Sequence, residues 1–210
     1  LDAAARSILK KRGAVPSFLG YMDFPAALCT AVNYQVIHGI PGKLKLVEGD
    51  IIGLDLGVNL KGFFSDACIS VPVGKVSKKR EQLLKVTREC LDLGITQAIP
   101  GNRINHIGKA VYDHARAHNY ELVRDFCGHG VGLAVHEEPS IPNYYPYRGL
   151  NPRIKPGMIL AIEPMINLGT SDVDILEDDW TVKTADRMLS AHFEHTIAIF
   201  TDHTEILTKK

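Results

Sequence analysis

The sequence has no surplus of charge: 24 Lys and Arg stand against 24 Asp and Glu. That balance gives no electrostatic pull toward nucleic acid or an anionic membrane surface. No apolar run approaches the roughly 18 residues that span a bilayer, and the N-terminus shows no signal-peptide pattern. Cysteine is sparse. Cys29, Cys68, Cys90 and Cys127 form neither a Cys-x-x-Cys pair nor a regular framework. They are expected to be buried free thiols in a reducing compartment, and the cytoplasm is the expected location. An initiator methionine is also missing: the chain opens at Leu1 inside a helical pattern, as a fragment or trimmed product would. What is there is a 210-residue chain of ordinary globular composition, long enough for a substantial core.

Local patterning gives a mixed set of elements. Residues 2–12 read as a helix with Ala5, Ile8 and Leu9 on one side and Gly13 as its stop. A strand over Ile51–Val58, a turn at Asn59-Leu60-Lys61-Gly62 and a strand over Phe63–Val71 read as a hairpin. Ser77 caps a helix to about Ile99, and a second runs from about Arg103 to His118, with Asn119 at a left-handed position. Residues 139–156, rich in Pro, Tyr and Asn, read as a surface connection. Ile159–Asn167, Trp180–Thr184, His192–Phe200 and Glu205–Thr208 read as strands.

The chain repeats itself. Gly49 precedes Asp55 by the same six steps that separate Gly157 from Glu163, across similar apolar runs. Phe64-Ser65-Asp66-x-x-Ile69 resembles Phe193-Glu194-x-x-Ile197, and each block follows a helix ending in Gly13 or Asn119. Two matched halves, about residues 1–100 and 101–210, would bring both pairs of carboxylates to one cleft around a pseudo-twofold axis.

Asp55, Asp66, Glu163 and Glu194 all lie on or beside apolar, strand-like runs. One such acid alone reads as a strand-end or salt-bridged residue. For the set that reading fails, because no Lys or Arg occurs between 49 and 60 or between 188 and 200. Buried carboxylates need a positive partner, and divalent metal supplies it. Oxygen ligands with one imidazole suit Mn, Co, Fe or Zn. Four carboxylates can hold two ions roughly 3.5–4 Å apart, which lowers the pKa of a shared water from about 15.7 toward 7.

His129 sits between Gly128 and Gly130, where the backbone can approach closely; the alternative is a loop histidine without a role. Gly128-His129-Gly130-Val131-Gly132 lacks the Lys-Ser/Thr of a phosphate loop. His38 and His136 read either as core histidines or as donors to a developing oxyanion. His114 and His118 stand one helical turn apart and could bind zinc, but no third ligand accompanies them in the sequence. Solvated helix surface is the expectation for both.

At these residues the sequence resembles the type I methionine aminopeptidases. The matching segments are Asn33…His38-Gly39-Ile40-Pro41, Gly49-Asp50…Asp55, Ser65-Asp66, Gly128-His129-Gly130-Val131-Gly132…His136-Glu137-Glu138-Pro139, Pro156-Gly157-Met158…Ile162-Glu163-Pro164-Met165 and Trp180-Thr181-Val182-Lys183-Thr184…Glu194-His195-Thr196. They span essentially the whole chain. The resemblance implies an α+β pita-bread fold: one catalytic domain of two pseudo-twofold-related α/β halves, with a curved antiparallel sheet backed by helices. It implies hydrolytic removal of the initiator methionine from nascent polypeptides with a small second residue.

By the same resemblance, Asp55, Asp66, His129, Glu163 and Glu194 are ligands of two divalent ions (Co, Mn, Fe or Zn). Asp66 and Glu194 bridge the ions; Asp55 holds one, and His129 with Glu163 the other. Glu163 also accepts the proton of the attacking water, His136 steadies the carbonyl oxygen, and His38 contacts the scissile amide. The methionine pocket maps onto Phe18, Tyr21, Phe24, Cys29, Val135 and Trp180, an adaptable apolar slot of the kind a thioether needs. Val135 stands where the family commonly has Phe, Phe18 where a bacterial member can have Cys, and His192 where Gln is frequent. The family's leading segment, several dozen residues with another helix, is absent from this sequence. The implied molecule is a monomer that acts without nucleic acid or membrane and meets the ribosome, if at all, through the domain itself. A proline-specific peptidase of the same fold, or a binding module that has lost its metals, are the alternatives. The first usually carries a further N-terminal domain, and the second normally loses ligands.

Overall fold

The computed structural model describes residues 1–209. Its spine is an eight-stranded antiparallel sheet built from β1 (Cys29–Val32), β2 (Ile51–Asp55), β3 (Ala67–Pro72), β4 (Gly128–Gly130), β5 (Glu137–Ile141), β6 (Ile159–Ile162), β7 (Glu194–Ile199) and β8 (Thr204–Ile206). The order across the sheet is β5-β4-β6-β7-β3-β2-β1. β8 pairs with the far end of β7, Ile197 opposite Ile206. The order is symmetric about the β7–β3 seam. Outward from it, β7, β6 and β4 on one side answer β3, β2 and β1 on the other.

Three helices accompany the sheet: α1 (Asp2–Lys11), α2 (Lys78–Gln97) and α3 (Ile104–Ala117). Ser77 caps α2, its Oγ accepting the Arg80 N–H at 3.4 Å. α2 buries Leu83, Val86, Cys90 and Leu91, and α3 buries Ile104, Ile107, Val111 and Ala115. These spacings of three and four place one apolar stripe on each helix. The stripes meet Leu160 and Ile162 of β6 and Ile197 and Ile199 of β7 in the main core. Because strand side chains alternate, the residues between those, Ala161, Thr196 and Glu194, face away from the helices. α1 has a narrower task. Its Asp2 carboxylate accepts the N–H groups of Ala27 (2.7 Å) and Leu28 (3.2 Å), fixing the segment that carries Phe24 and Cys29.

Several strand boundaries differ from the sequence reading. Each of the long runs 63–71, 159–167 and 192–200 was expected to be one strand. In the structure the chain leaves a small three-stranded sheet and joins the main sheet, or the reverse, at Asp66, at Glu163-Pro164 and at Phe193. Phe63–Ser65 pairs with Val58–Leu60 through a two-residue turn at Lys61-Gly62, both at positive φ, while Met165–Asn167 pairs with Ser190–His192. Apolar alternation runs on through every switch, so periodicity alone cannot see it. The tract from 139 is not all surface connection, since β5 includes Pro139; a strand at the sheet edge tolerates a residue without an N–H. The expected strand from Trp180 begins at Val182, and Ile8 of α1 is exposed. Of the four thiols, all free, Cys127 is half-buried rather than buried.

Candidate metal centre

Sheet register assembles the acidic residues. Cys29 of β1 lies opposite Asp55 of β2, Asp55 opposite Cys68 of β3, and Cys68 opposite Glu194 of β7. Directly opposed residues share a face, so one row crosses four strands with a carboxylate at its second and fourth places. Asp66 precedes Cys68 by two and Glu163 directly follows β6. His129 of β4 lies opposite Ala161, which lies opposite Thr196. Both neighbours of His129 must be glycine: a Cβ at Gly128 would come within 2.3 Å of the Ala161 carbonyl oxygen, and one at Gly130 within 2.3 Å of that of Glu138.

One ligand atom from each of Asp66, His129 and Glu194 lies within 4.8 Å of the other two. Glu163 places Oε1 3.5 Å from His129 Nε2 and Oε2 3.7 Å from His192 Nε2, and its backbone carbonyl accepts from Asn143 Nδ2 at 3.1 Å. Thr196 pins Asp66 to β7 twice. Its Oγ1 accepts the Asp66 N–H at 2.8 Å and donates to the Asp66 carbonyl oxygen at 2.8 Å. His129 Nδ1 faces the Gly130 carbonyl at 2.8 Å. A carbonyl can only accept, so Nδ1 carries the proton and Nε2 offers its lone pair toward Glu163.

The electrostatics show what the cluster is missing. Burial pushes the carboxyls of Asp55, Glu163 and Glu194 well above the usual range, and their mutual repulsion adds to it. Asp66 is raised to about 7 by burial, tempered by the neighbouring Asp55 carboxyl and its bond to the Ala67 N–H. Burial, with repulsion from His136, lowers His129 to about 4. Asp55 Oδ1 and Glu194 Oε1 are buried without a hydrogen-bond partner, and no Lys or Arg of the described residues pairs with the cluster. Orphaned carboxylate oxygens beside a lone-pair imidazole fit a divalent cation, which would replace the missing hydrogen-bond donors and favour the charged carboxylates.

The cluster closes the inner end of a cleft of about 310 Å³. Of the residues read from sequence as a pocket, Phe18, Tyr21, Phe24, Cys29 and Trp180 line it, with His38 and His136. Val135 packs in the same apolar cluster but does not line the cleft. His136 stacks beside His129, ring centroids 4.3 Å apart, and its Nδ1 is 2.9 Å from the Tyr21 hydroxyl. His38, at φ 57, stands edge-on to Phe126 and Trp180; burial, then His136, lowers it to about 4. Sequence reasoning missed Met22, Ile37, Asp125, Phe126 and Cys127 as lining residues and Asn143 and Thr196 as supports. Only Thr196, in the Glu194-x-Thr196 spacing, left a trace there. His114 and His118 of α3 do not line the cleft and are half-exposed, as expected of helix surface, but they have an acidic neighbour that the sequence did not show. α2 brings Glu89 to them.

The antiparallel sheet thus sets a carboxylate-rich cluster, suited to divalent metal, among the residues that line a largely apolar cleft. The model of metallopeptidase family M24 matches residues 1–200, and the chain belongs to that family. It is 49% identical to the methionine aminopeptidase of Treponema pallidum (strain Nichols) over 209 residues, covering 100% of this chain and 82% of that protein. The crystal structure of the methionine aminopeptidase from Rickettsia prowazekii superposes with a TM-score of 0.96 at 40% identity, over 99% of this chain and 84% of that one. The prolidase from Pyrococcus furiosus has a TM-score of 0.76 at 22% identity, covering 100% of this chain and 54% of that one, a likeness of fold alone. No helix of the described residues is long and apolar enough to cross a membrane.

Proposed function

We propose that the chain is a methionine aminopeptidase, hydrolysing the first peptide bond of polypeptides that begin with methionine and a small second residue. The observation that carries this is the junction of two unlike surfaces in one cleft. Unneutralised carboxylates sit at its inner end, and beside them lies a slot walled by Phe18, Tyr21, Phe24, Cys29 and Trp180. An apolar side chain fills the slot, and the cationic α-amine turns to the acidic end. A chain docked that way presents only its first peptide bond.

Asp55, Asp66, His129, Glu163 and Glu194 would hold two divalent ions from among Co, Mn, Fe and Zn. When bound, such ions neutralise the carboxylates and supply an acidified water as nucleophile. Glu163 would accept the proton of the attacking water, its side chain placed between the His129 and His192 imidazoles and its backbone carbonyl anchored by Asn143. His136 donates to the substrate carbonyl as negative charge develops there, and the Tyr21 hydroxyl at its Nδ1 sets its ring. His38, wedged against Phe126 and Trp180, meets the scissile amide. Wall packing by Val135 shapes the slot from behind. In this reading the molecule is a monomer that acts on the N-termini of new polypeptides in the cytoplasm, and any contact with the ribosome would be made by the domain itself.

The test is release of free methionine from a Met-Ala-Ser peptide by metal-loaded protein, beside an Ala-Pro dipeptide. Methionine release that disappears in chelator and in Glu163→Gln supports the reading. Cleavage of the proline substrate alone, or of neither by folded, metal-loaded protein, overturns it.

A further inference from the structure

Outside the cleft, the described residues contain one other group of metal-ligand type, and it joins two helices. Glu89 of α2 and His114 and His118 of α3 each offer a ligand atom within 4.8 Å of the other two. We propose that these three residues form a separate transition-metal site, suited to Zn²⁺ or Cu²⁺, that clamps α2 to α3.

The three side chains are already held close by the contacts they make, and a metal ion would take the place of the His114 Nε2 proton that now bonds Glu89. His118 Nδ1 lies 3.0 Å from the His114 carbonyl oxygen. That oxygen accepts only, so Nδ1 carries the proton and Nε2 is left with its lone pair, the tautomer that second-sphere contacts impose on metal-binding histidines. His114 Nε2 faces Glu89 Oε2 at 2.9 Å, while Glu89 Oε1 is turned to Lys85 Nζ at 3.7 Å. The two imidazoles are one turn apart on a helix, so their spacing is fixed by the backbone. Ligands at about 2.0–2.1 Å from a tetrahedral ion lie roughly 3.3 Å apart, so modest side-chain rotation closes the set and leaves a fourth place for water. All three are half-exposed, and an ion can reach them from solvent.

The donor set also differs from that of the cleft. Two nitrogens and one oxygen favour the later first-row metals, which bind imidazole strongly, whereas the carboxylate-rich centre is tolerant of harder ions. Beneath the cluster the helices are in close contact. A Cβ on Gly94 would stand 3.0 Å from Val111 Cγ2, so an ion would brace a junction that is already packed. The plain alternative is that Glu89 and His114 form an ordinary interhelical hydrogen bond and His118 caps a helix end.

Zinc counted per chain after equilibrium dialysis, with thermal unfolding of the same samples, decides between them. Wild-type protein is expected to hold one more zinc than His118→Ala and Glu89→Gln. Its Tm should rise by roughly 5–10 °C more than theirs when zinc reaches about 100 times the dissociation constant of this site. Peptide cleavage, read at saturating central metal, stays at the wild-type rate in both variants. Equal zinc counts and equal Tm rises in wild type and both folded variants overturn the site. Glu89→Gln keeps the shape and one acceptor oxygen, so it reports on the ligand even if His118→Ala loosens the end of α3.

Discussion

Glu163 lies against His129 and His192 and feels the charge of Asp66, and a neutral side chain of the same shape isolates its own charge. Glu163→Gln is expected to lower kcat by about 10²–10⁴-fold, the range for loss of a positioned base, while a stopped-assay KM for methionyl peptides changes little. Farther out, Asp178 accepts from the Trp180 N–H (3.0 Å), the Thr181 N–H (2.7 Å) and the Thr181 hydroxyl (2.5 Å), a turn that presents Trp180 to the cleft. Burial raises the Asp178 carboxyl, but the Thr181 and Trp180 bonds outweigh it and hold it below its ordinary value of 3.8. A depressed carboxyl stabilises the fold above its unfolded pKa and loses that contribution as pH falls through its folded one. Asp178→Ala should therefore cost about 1 kcal/mol at pH 7, by analogy with lost capping carboxylates, and less at about pH 3, below the carboxyl's ordinary value of 3.8. Urea melts at the two pH values check it; equal losses at both would remove the charge from the explanation.

At the scale of elements, the row Cys29–Asp55–Cys68–Glu194 depends on β3 and β7 keeping one register, and Thr196 is the peg between them. Thr196→Val keeps the volume and removes both bonds to Asp66. The expected loss is about 1–3 kcal/mol, from a buried N–H and carbonyl left unpaired, with weaker metal retention on calorimetric titration. Gly128→Ala should act through a different route, pushing β4 from β6 by contact with the Ala161 carbonyl and carrying His129 with it. Much of this level was legible in the sequence: both long helices, a hairpin turn within residues 59–62 that the structure narrows to Lys61-Gly62, and the order of two similar carboxylate blocks. The switches between sheets at Asp66, Glu163-Pro164 and Phe193 were not. Each is set by which distant strand is available for pairing, while the local alternation of apolar residues is the same on both sides. Glu89 was illegible for the same reason, since its approach to His114 and His118 is a matter of helix packing.

For the whole molecule, the buried carboxylates make the fold dependent on what neutralises them. Removing metal with chelator at pH 7.5 should lower Tm by roughly 5–10 °C relative to protein at about 100-fold excess of ion over its dissociation constant. Scanning calorimetry with and without added ion reads this directly, and an unchanged Tm would mean that no ion is held by the folded state in preference to the unfolded one. The mirror order of strands about the β7–β3 seam has a further consequence, for biosynthesis. Asp55 and Asp66 emerge early in translation, but the row they belong to is finished only by Glu194, paired across the seam. A growing chain that stops short of residue 194 carries Asp55, Asp66, His129 and Glu163 but lacks the residue that joins the two groups across the seam. Competence therefore arrives in one step, with the last ligand strand, and until that strand docks the chain carries no complete proteolytic centre.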